Sequence, residues 1–409
     1  VSQDRIENQD ELSGQPRDAG RPTVMLLGSG EFSRELTISL QRLGAHVIAV
    51  ERYADAPAHG VADQALVVDM TDTDELGAAI GRLQPQFVVT ASNAVAGDAL
   101  TAAAESGAAE FVPTARCARL TADREGLRRL AADELGLPTA PFWFAGSLDE
   151  LQAIADHAGY PLRVQPVAAI RAQGQSVVLL PGDLEPAWQR AVSAGGLRAQ
   201  RRVLAETLVE IDFYVTLLTV GGNGPSGLTL NFCTAIGHGD AIGDVQEFWQ
   251  PQDLSPAALD AAKSIAARVV KALGGRGLFG VELMVRGDEV YFSGVTARPF
   301  ESGLVTIRTQ RLSEFELQAR AILGLPTDTI MVSPGAAAVI YAGAGGVPER
   351  GRGGALGDAL RTTESDVRVF TRDESEAGRP LGATVVTAAD VTTARGRARE
   401  ASAALRRLW

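Results

Sequence analysis

VMLLGSGEFSRE, residues 24–35, sets an apolar run against a glycine-rich turn and then opens a helical pattern. Residues 24–27 are apolar and short, as a buried strand requires, and Gly28-Ser29-Gly30 allows a tight reversal. Leu36, Leu40 and Leu43 then recur at helical spacing as far as Gly44, and residues 47–50 supply a second apolar run. Further runs at 65–68, 87–90 and 110–112, with helical stretches between them, extend the unit into a parallel doubly wound domain over residues 22 to 122. The turn reads GxGxxS rather than GxGxxG, so it is a weak sign of a dinucleotide.

Downstream the pattern changes. A helix is predicted from Arg124, ending at Gly136-Leu137-Pro138. Strands follow near 140–144, 162–167, 176–180, 203–207 and 213–220, with helices near 148–157 and 184–193. A long helix over 256–273 precedes strands 278–285 and 289–295, reversed at Arg286-Gly287-Asp288. Residues 334–409 read as a smaller β-rich end closed by an amphipathic helix. The fold class is therefore α/β followed by α+β, with residues 1–21, polar and unpatterned, expected to be a disordered leader.

A chain of 409 residues with a formal charge of −12 lacks the surplus basic charge that nonspecific nucleic-acid binding needs, so an anionic small molecule is the expected ligand class. No apolar run is long enough to span a bilayer, and Cys117 and Cys233 form no metal-binding or disulfide pattern, which fits a cytoplasmic protein with no membrane or nucleic-acid partner. All but Lys263 and Lys271 of the 38 basic residues are arginine, a bias that would turn a required lysine into arginine rather than into a neutral residue.

Several stretches taken together resemble the formate-dependent glycinamide ribonucleotide transformylases of the ATP-grasp superfamily. They are VMLLGSGEFSRE (24–35), VIAVERYADAPAHGVAD (47–63), LTADREGLRRLAADELGLPT (120–139), DFYVTLLTV (212–220), FWQPQDLSP (248–256) and GLFGVELMVRGDEVYFSGVTARP (277–299). The resemblance runs in order over residues 22–385. It implies a Rossmann-like N-terminal substrate domain over 22–122, an ATP-grasp domain over 123–333 with a smaller lobe at about 140–210, and a C-terminal domain over 334–409. It also implies a homodimer that activates formate with Mg-ATP as formyl phosphate and passes the formyl group to glycinamide ribonucleotide.

Carried over residue by residue, the resemblance puts Glu31 and Phe32 against the substrate, Arg124, Arg372 and Arg379 at its anionic end, and Glu282, Arg298 and Glu301 at the reacting centre. Ala91 stands where the family has a carboxylate, and Pro380 where it has a second arginine. On the nucleotide side Gly174, Gln175, Glu206 and Val209 match family positions. Three others depart: Gln165 replaces a lysine, Tyr214 a glutamate, and Gly294, opposite Glu282, the second metal carboxylate. Arginine bias does not explain a glutamine. The sequence therefore leads to the expectation of a specialised biosynthetic enzyme that has abandoned ATP, with no cofactor and no metal. ATP and magnesium are expected if the site is still functional, with Arg171 or Arg163 as candidates to replace the lost lysines. Two alternatives are a noncatalytic ligand-binding protein and an active ATP-dependent formyltransferase or ligase using formate and a phosphorylated amine. His238 reads as structural, and Glu282 as a strand carboxylate paired with Arg298.

Overall fold

The computed structural model describes residues 20–167, 174–194, 202–224, 227–342, 354–370 and 380–409. Strands β1 (Thr23–Leu27), β2 (His46–Glu51), β3 (Gln64–Val67), β4 (Phe87–Thr90) and β5 (Glu110–Phe111) form a parallel sheet in the order β3-β2-β1-β4-β5. The central strands are apolar on both faces because helices cover both. β1 runs out at Gly28, whose φ of 109° suits glycine, and a Cβ there would stand 2.9 Å from the Ser92 Cβ. The helix Glu31–Arg42 begins directly after this turn, so Glu31 and Phe32 emerge at the carboxyl edge of the sheet, where doubly wound folds hold their ligands.

A second, antiparallel sheet of β6 (Phe142–Ala145), β7 (Leu162–Pro166), β8 (Ser176–Val178) and β9 (Val203–Thr207) has the order β6-β9-β7-β8. The helices Leu148–Ala158 and Leu184–Ala194 close its core around Leu151, Leu162, Val164 and Leu184. β8 stops two residues short of the predicted run because the Asp183 carboxylate accepts from the Leu179 and Leu180 N–H groups, turning the chain out of the sheet.

The largest sheet comprises β10 (Phe213–Gly224), β11 (Gly227–Phe232), β12 (Ile236–His238), β13 (Val245–Gln250), β14 (Gly277–Arg286), β15 (Glu289–Thr296), β16 (Gly335–Tyr341), β17 (Ser365–Val369) and β18 (Pro380–Thr387). Its order is β15-β14-β10-β12-β13-β16-β18-β17, with β11 added on β10. The C-terminal strands thus continue this sheet through β13. The helix Pro256–Leu273, capped by the Ser255 hydroxyl, packs against β10, β14 and β15, whereas Phe315 and Leu317 of the helix Glu314–Ile322 share a core with Leu36 and Leu40 of the first domain.

Glu282 stands opposite Gly294, as predicted, but by a different route. Arg286 pairs with Glu289, leaving Gly287-Asp288 as a two-residue turn, and a bulge beyond Glu282 restores the register.

Candidate active site

The helix Arg124–Arg129 starts from the Asp123 side chain, which accepts from the Gly126 N–H, and its i,i+4 spacing puts Arg124 and Arg128 on one face towards β7 and β9. Arg128 forms a buried ion pair with Glu206, the two side chains being 7% and 4% exposed, and its guanidinium lies 5.7 Å from the Phe142 ring centroid. Gln165 bridges the group: its Nε2 donates to Glu206 Oε2 at 2.9 Å and its Oε1 accepts from Arg124 Nη1 at 3.3 Å. Arg163, two residues earlier on β7, donates to the Tyr214 hydroxyl at 3.1 Å.

Among the described residues, Arg128 Nη1 and Arg163 Nε are buried donors without a hydrogen-bond partner. Burial holds the Arg124 and Arg128 guanidiniums below their ordinary range against the pull of Glu206, and the cations also repel one another. Three clustered guanidiniums with unused N–H groups fit an anion of several charges, such as a triphosphate.

On the neighbouring face of the large sheet, burial first and Glu301 second push the Glu282 carboxyl above its ordinary value, against the opposing pull of Arg124 and Arg128. Its expected partnership with Arg298 does not form among the described residues: Arg298 Nη1 donates instead to Asn93 Oδ1 at 2.7 Å, tying the 298–303 turn to the first domain. A Cβ at Gly294 would lie 3.2 Å from Glu282 Oε2, so the glycine leaves the carboxyl room. Among the described residues no three acidic, histidine or cysteine side chains cluster as a closed metal site. A magnesium ion bridging phosphates needs only one or two protein carboxylates, which Glu282 and Glu301 fit.

His238 Nε2 lies 2.7 Å from Thr216 Oγ1, which also meets the Ser302 hydroxyl at 3.1 Å. Burial pushes the imidazole down to about 4, so it is neutral at pH 7. Thr216 pairs across the sheet with Glu282.

A separate cavity of about 120 Å³ lies between the domains, lined by Glu31, Phe32, Ala91, Arg298 and Gln318 among others. Phe32 also stacks towards Phe315 and Phe370, with ring centroids at 6.1 and 5.9 Å. The structure therefore groups Glu31, Phe32 and Arg298 at one pocket, but it places Arg124 with Gln165 and Glu206 in the other cleft. Gly174, with φ 72°, abuts Ala194 and Pro166, Gln175 is exposed and Val209 half-buried. Arg372, Arg379 and Arg171 lie outside the described residues. Position-by-position matching overlooks Arg128, although its spacing from Arg124 is a usable signal.

The ATP-grasp domain family matches residues 130–315. A formate-dependent phosphoribosylglycinamide formyltransferase of Rhodococcus jostii is 51% identical over 391 residues, covering 95% of this chain and 96% of that one. The protein of the same name from Corynebacterium glutamicum is 48% identical and covered to 97%, as is this chain. Among solved structures, the glycinamide-RNase-transformylase T of Mycobacterium tuberculosis superposes with a TM-score of 0.80 at 57% identity, over 94% of this chain and 99% of that one. A carboxyaminoimidazole ribonucleotide synthase from Aspergillus clavatus, complexed with ATP, superposes at 0.81 with 20% identity over 95% of this chain and 99% of that one, a likeness of fold. These likenesses overturn the expectation of an enzyme that has abandoned ATP: relatives half-identical over nearly the whole chain carry the formate-dependent name, and an ATP-grasp domain is present. The expectation fails for a physical reason: it looks for positive charge at residue 165, whereas the fold brings charge in from Arg124, Arg128 and Arg163.

Proposed function

The chain belongs to the formate-dependent phosphoribosylglycinamide formyltransferase family, and we propose that it is an active, ATP-dependent member that formylates the amine of a phosphoribosylglycinamide. Bound ATP with magnesium would supply the phosphoryl group that activates formate. The carrying observation is the pair of buried guanidinium donors on Arg128 and Arg163, beside Gln165, that find no partner among the described residues.

The chain's own contribution is mainly electrostatic. Arg124, Arg128 and Arg163 gather positive charge where a polyphosphate would lie, in a site screened from water, and Glu206 with Gln165 fixes their orientation. Glu282 and Glu301 offer oxygens to a hard cation. On the amine side, Glu31 at the start of its helix and Phe32 in the cavity wall hold the substrate. Arg298, anchored on Asn93, fixes the relation of the two domains across the reacting groups. Arg372 and Arg379 complete the anion-binding side in this reading. The domain limits follow the resemblance, at 22–122, 123–333 and 334–409, and the working form is taken to be a cytoplasmic homodimer.

The test is incubation with ATP, magnesium, formate and phosphoribosylglycinamide, followed by mass analysis of the amine and assay of ADP. Formylated product that disappears when ATP or formate is withheld is the expected result. Absence of product, with no rise in melting temperature on adding Mg-ATP, would overturn the reading.

A further inference from the structure

The turn 298–303 carries both Arg298 and Glu301, and a carboxyl from another element lies beneath it. Glu314, the first residue of its helix, has no exposed surface, and its Oε2 accepts from the Phe300 N–H at 3.0 Å. The surrounding chain is shaped to this contact. Gly303 lies so close that a Cβ would collide with the Glu314 carboxyl, and Gly280 on β14 leaves space for the Phe300 ring in the same way. The Glu314 N–H donates to Thr306 Oγ1 at 2.8 Å, and that hydroxyl donates to the Gly303 carbonyl at 2.5 Å. On the far side, Ser302 meets Thr216 and Arg298 meets Asn93.

We propose that Glu314 is a positioning residue of the site: by holding the Phe300 N–H it fixes the turn that presents Arg298 and Glu301, without itself touching substrate. Burial raises the Glu314 carboxyl well above the ordinary range and Glu301 adds to this, while the Phe300 N–H opposes it. The other titratable neighbour, Cys233, is itself pushed up to about 12 by burial and stays a thiol. Among the described residues Glu314 Oε1 makes no hydrogen bond, so the residue works through one acceptor oxygen, which a glutamine also provides.

The role of the turn in formyl transfer rests on the function proposed above, but its rigidity does not, and two readouts separate them. Hydrogen exchange of the peptide spanning 298–303 in the ligand-free protein tests the clamp. Glu314→Leu should speed exchange there and Glu314→Gln should leave it at the parental rate. In the transfer assay, Glu314→Leu should lower kcat about tenfold or more, with KM for ATP within about twofold, because the arginine cleft is a separate element. Glu314→Gln should restore kcat and reproduce the parental pH profile. If the parent formylates nothing, the proposed function fails while the exchange result still decides the clamp. Parental exchange in Glu314→Leu would overturn the inference. So would a Glu314→Gln protein with accelerated exchange, or one with lost activity and a shifted pH profile, since either shows that the ionised carboxylate is what matters. Should Glu314→Leu fail to fold, the Glu314→Gln arm decides alone.

Discussion

The arginine cleft and the 298–303 turn hold their functional groups by opposite means. In the cleft, charge arrives on long side chains from a helix and a strand, and the residue at the expected position, Gln165, only links them. In the turn, short contacts to backbone N–H and hydroxyl groups fix a few residues in place, and two glycines make room. Charge acts across several ångströms, so its source can move along the chain without emptying the site. Hydrogen-bonded backbone geometry acts over about 3 Å and tolerates no such exchange.

The sharpest way to break this contrast is Arg128→Met. It strands Glu206, 3% exposed, without its cation, and should cost about 3–5 kcal/mol in urea denaturation. A loss below about 1 kcal/mol would mean that Gln165 holds Glu206 without Arg128.

On the turn's side, His238 gives a pH test. The unfolded ring takes up its proton near 6.5 and the folded ring only at about 4, so between these values the unfolded state binds more protons. Stability should therefore be complete above about pH 6.5 and fall as pH drops towards 4, by on the order of 3 kcal/mol. Denaturation midpoints for the parent and for His238→Gln should converge with falling pH. Parallel curves would show that the ring is not held neutral.

Gly294 lies between the two regions. Gly294→Glu restores an acid on sequence grounds, but its Cβ would stand 3.2 Å from Glu282 Oε2, and overpacking of this kind costs about 1–3 kcal/mol. It should lower the melting temperature without raising ATP affinity; tighter ATP binding would show that the missing carboxylate had been limiting. The smallest effect is expected for Arg163→Met, about tenfold weaker ATP binding in a ligand-dependent melting assay, with KM for the amine unchanged. No change would remove Arg163 from the cluster.

Much of the fold is legible in the amino-acid order. The helix Pro256–Leu273 follows from its Ser255 cap, Pro256 at its start and Gly274 past its end, and β9 follows from its apolar run. The glycine turn alone is enough to put Glu31 and Phe32 at the sheet edge, where they line the cavity. The arginine cluster is legible only in part: the i,i+4 spacing pairs Arg124 with Arg128 on one helix, but that Arg163 on β7 comes to the same cleft is decided in space. Glu314 gives no signal, since an acid after a serine cap looks like an ordinary helix start.

Sequence by itself determined the strands, helices, caps and turns, because these depend on backbone preference and apolar spacing among near neighbours. Tertiary structure alone decided which arginines face Glu206, which carboxyl lies beneath Phe300, and that Gly294 leaves room beside Glu282. The energy of a charged or hydrogen-bonding group is set by the partners and water around it, and those come from distant parts of the chain.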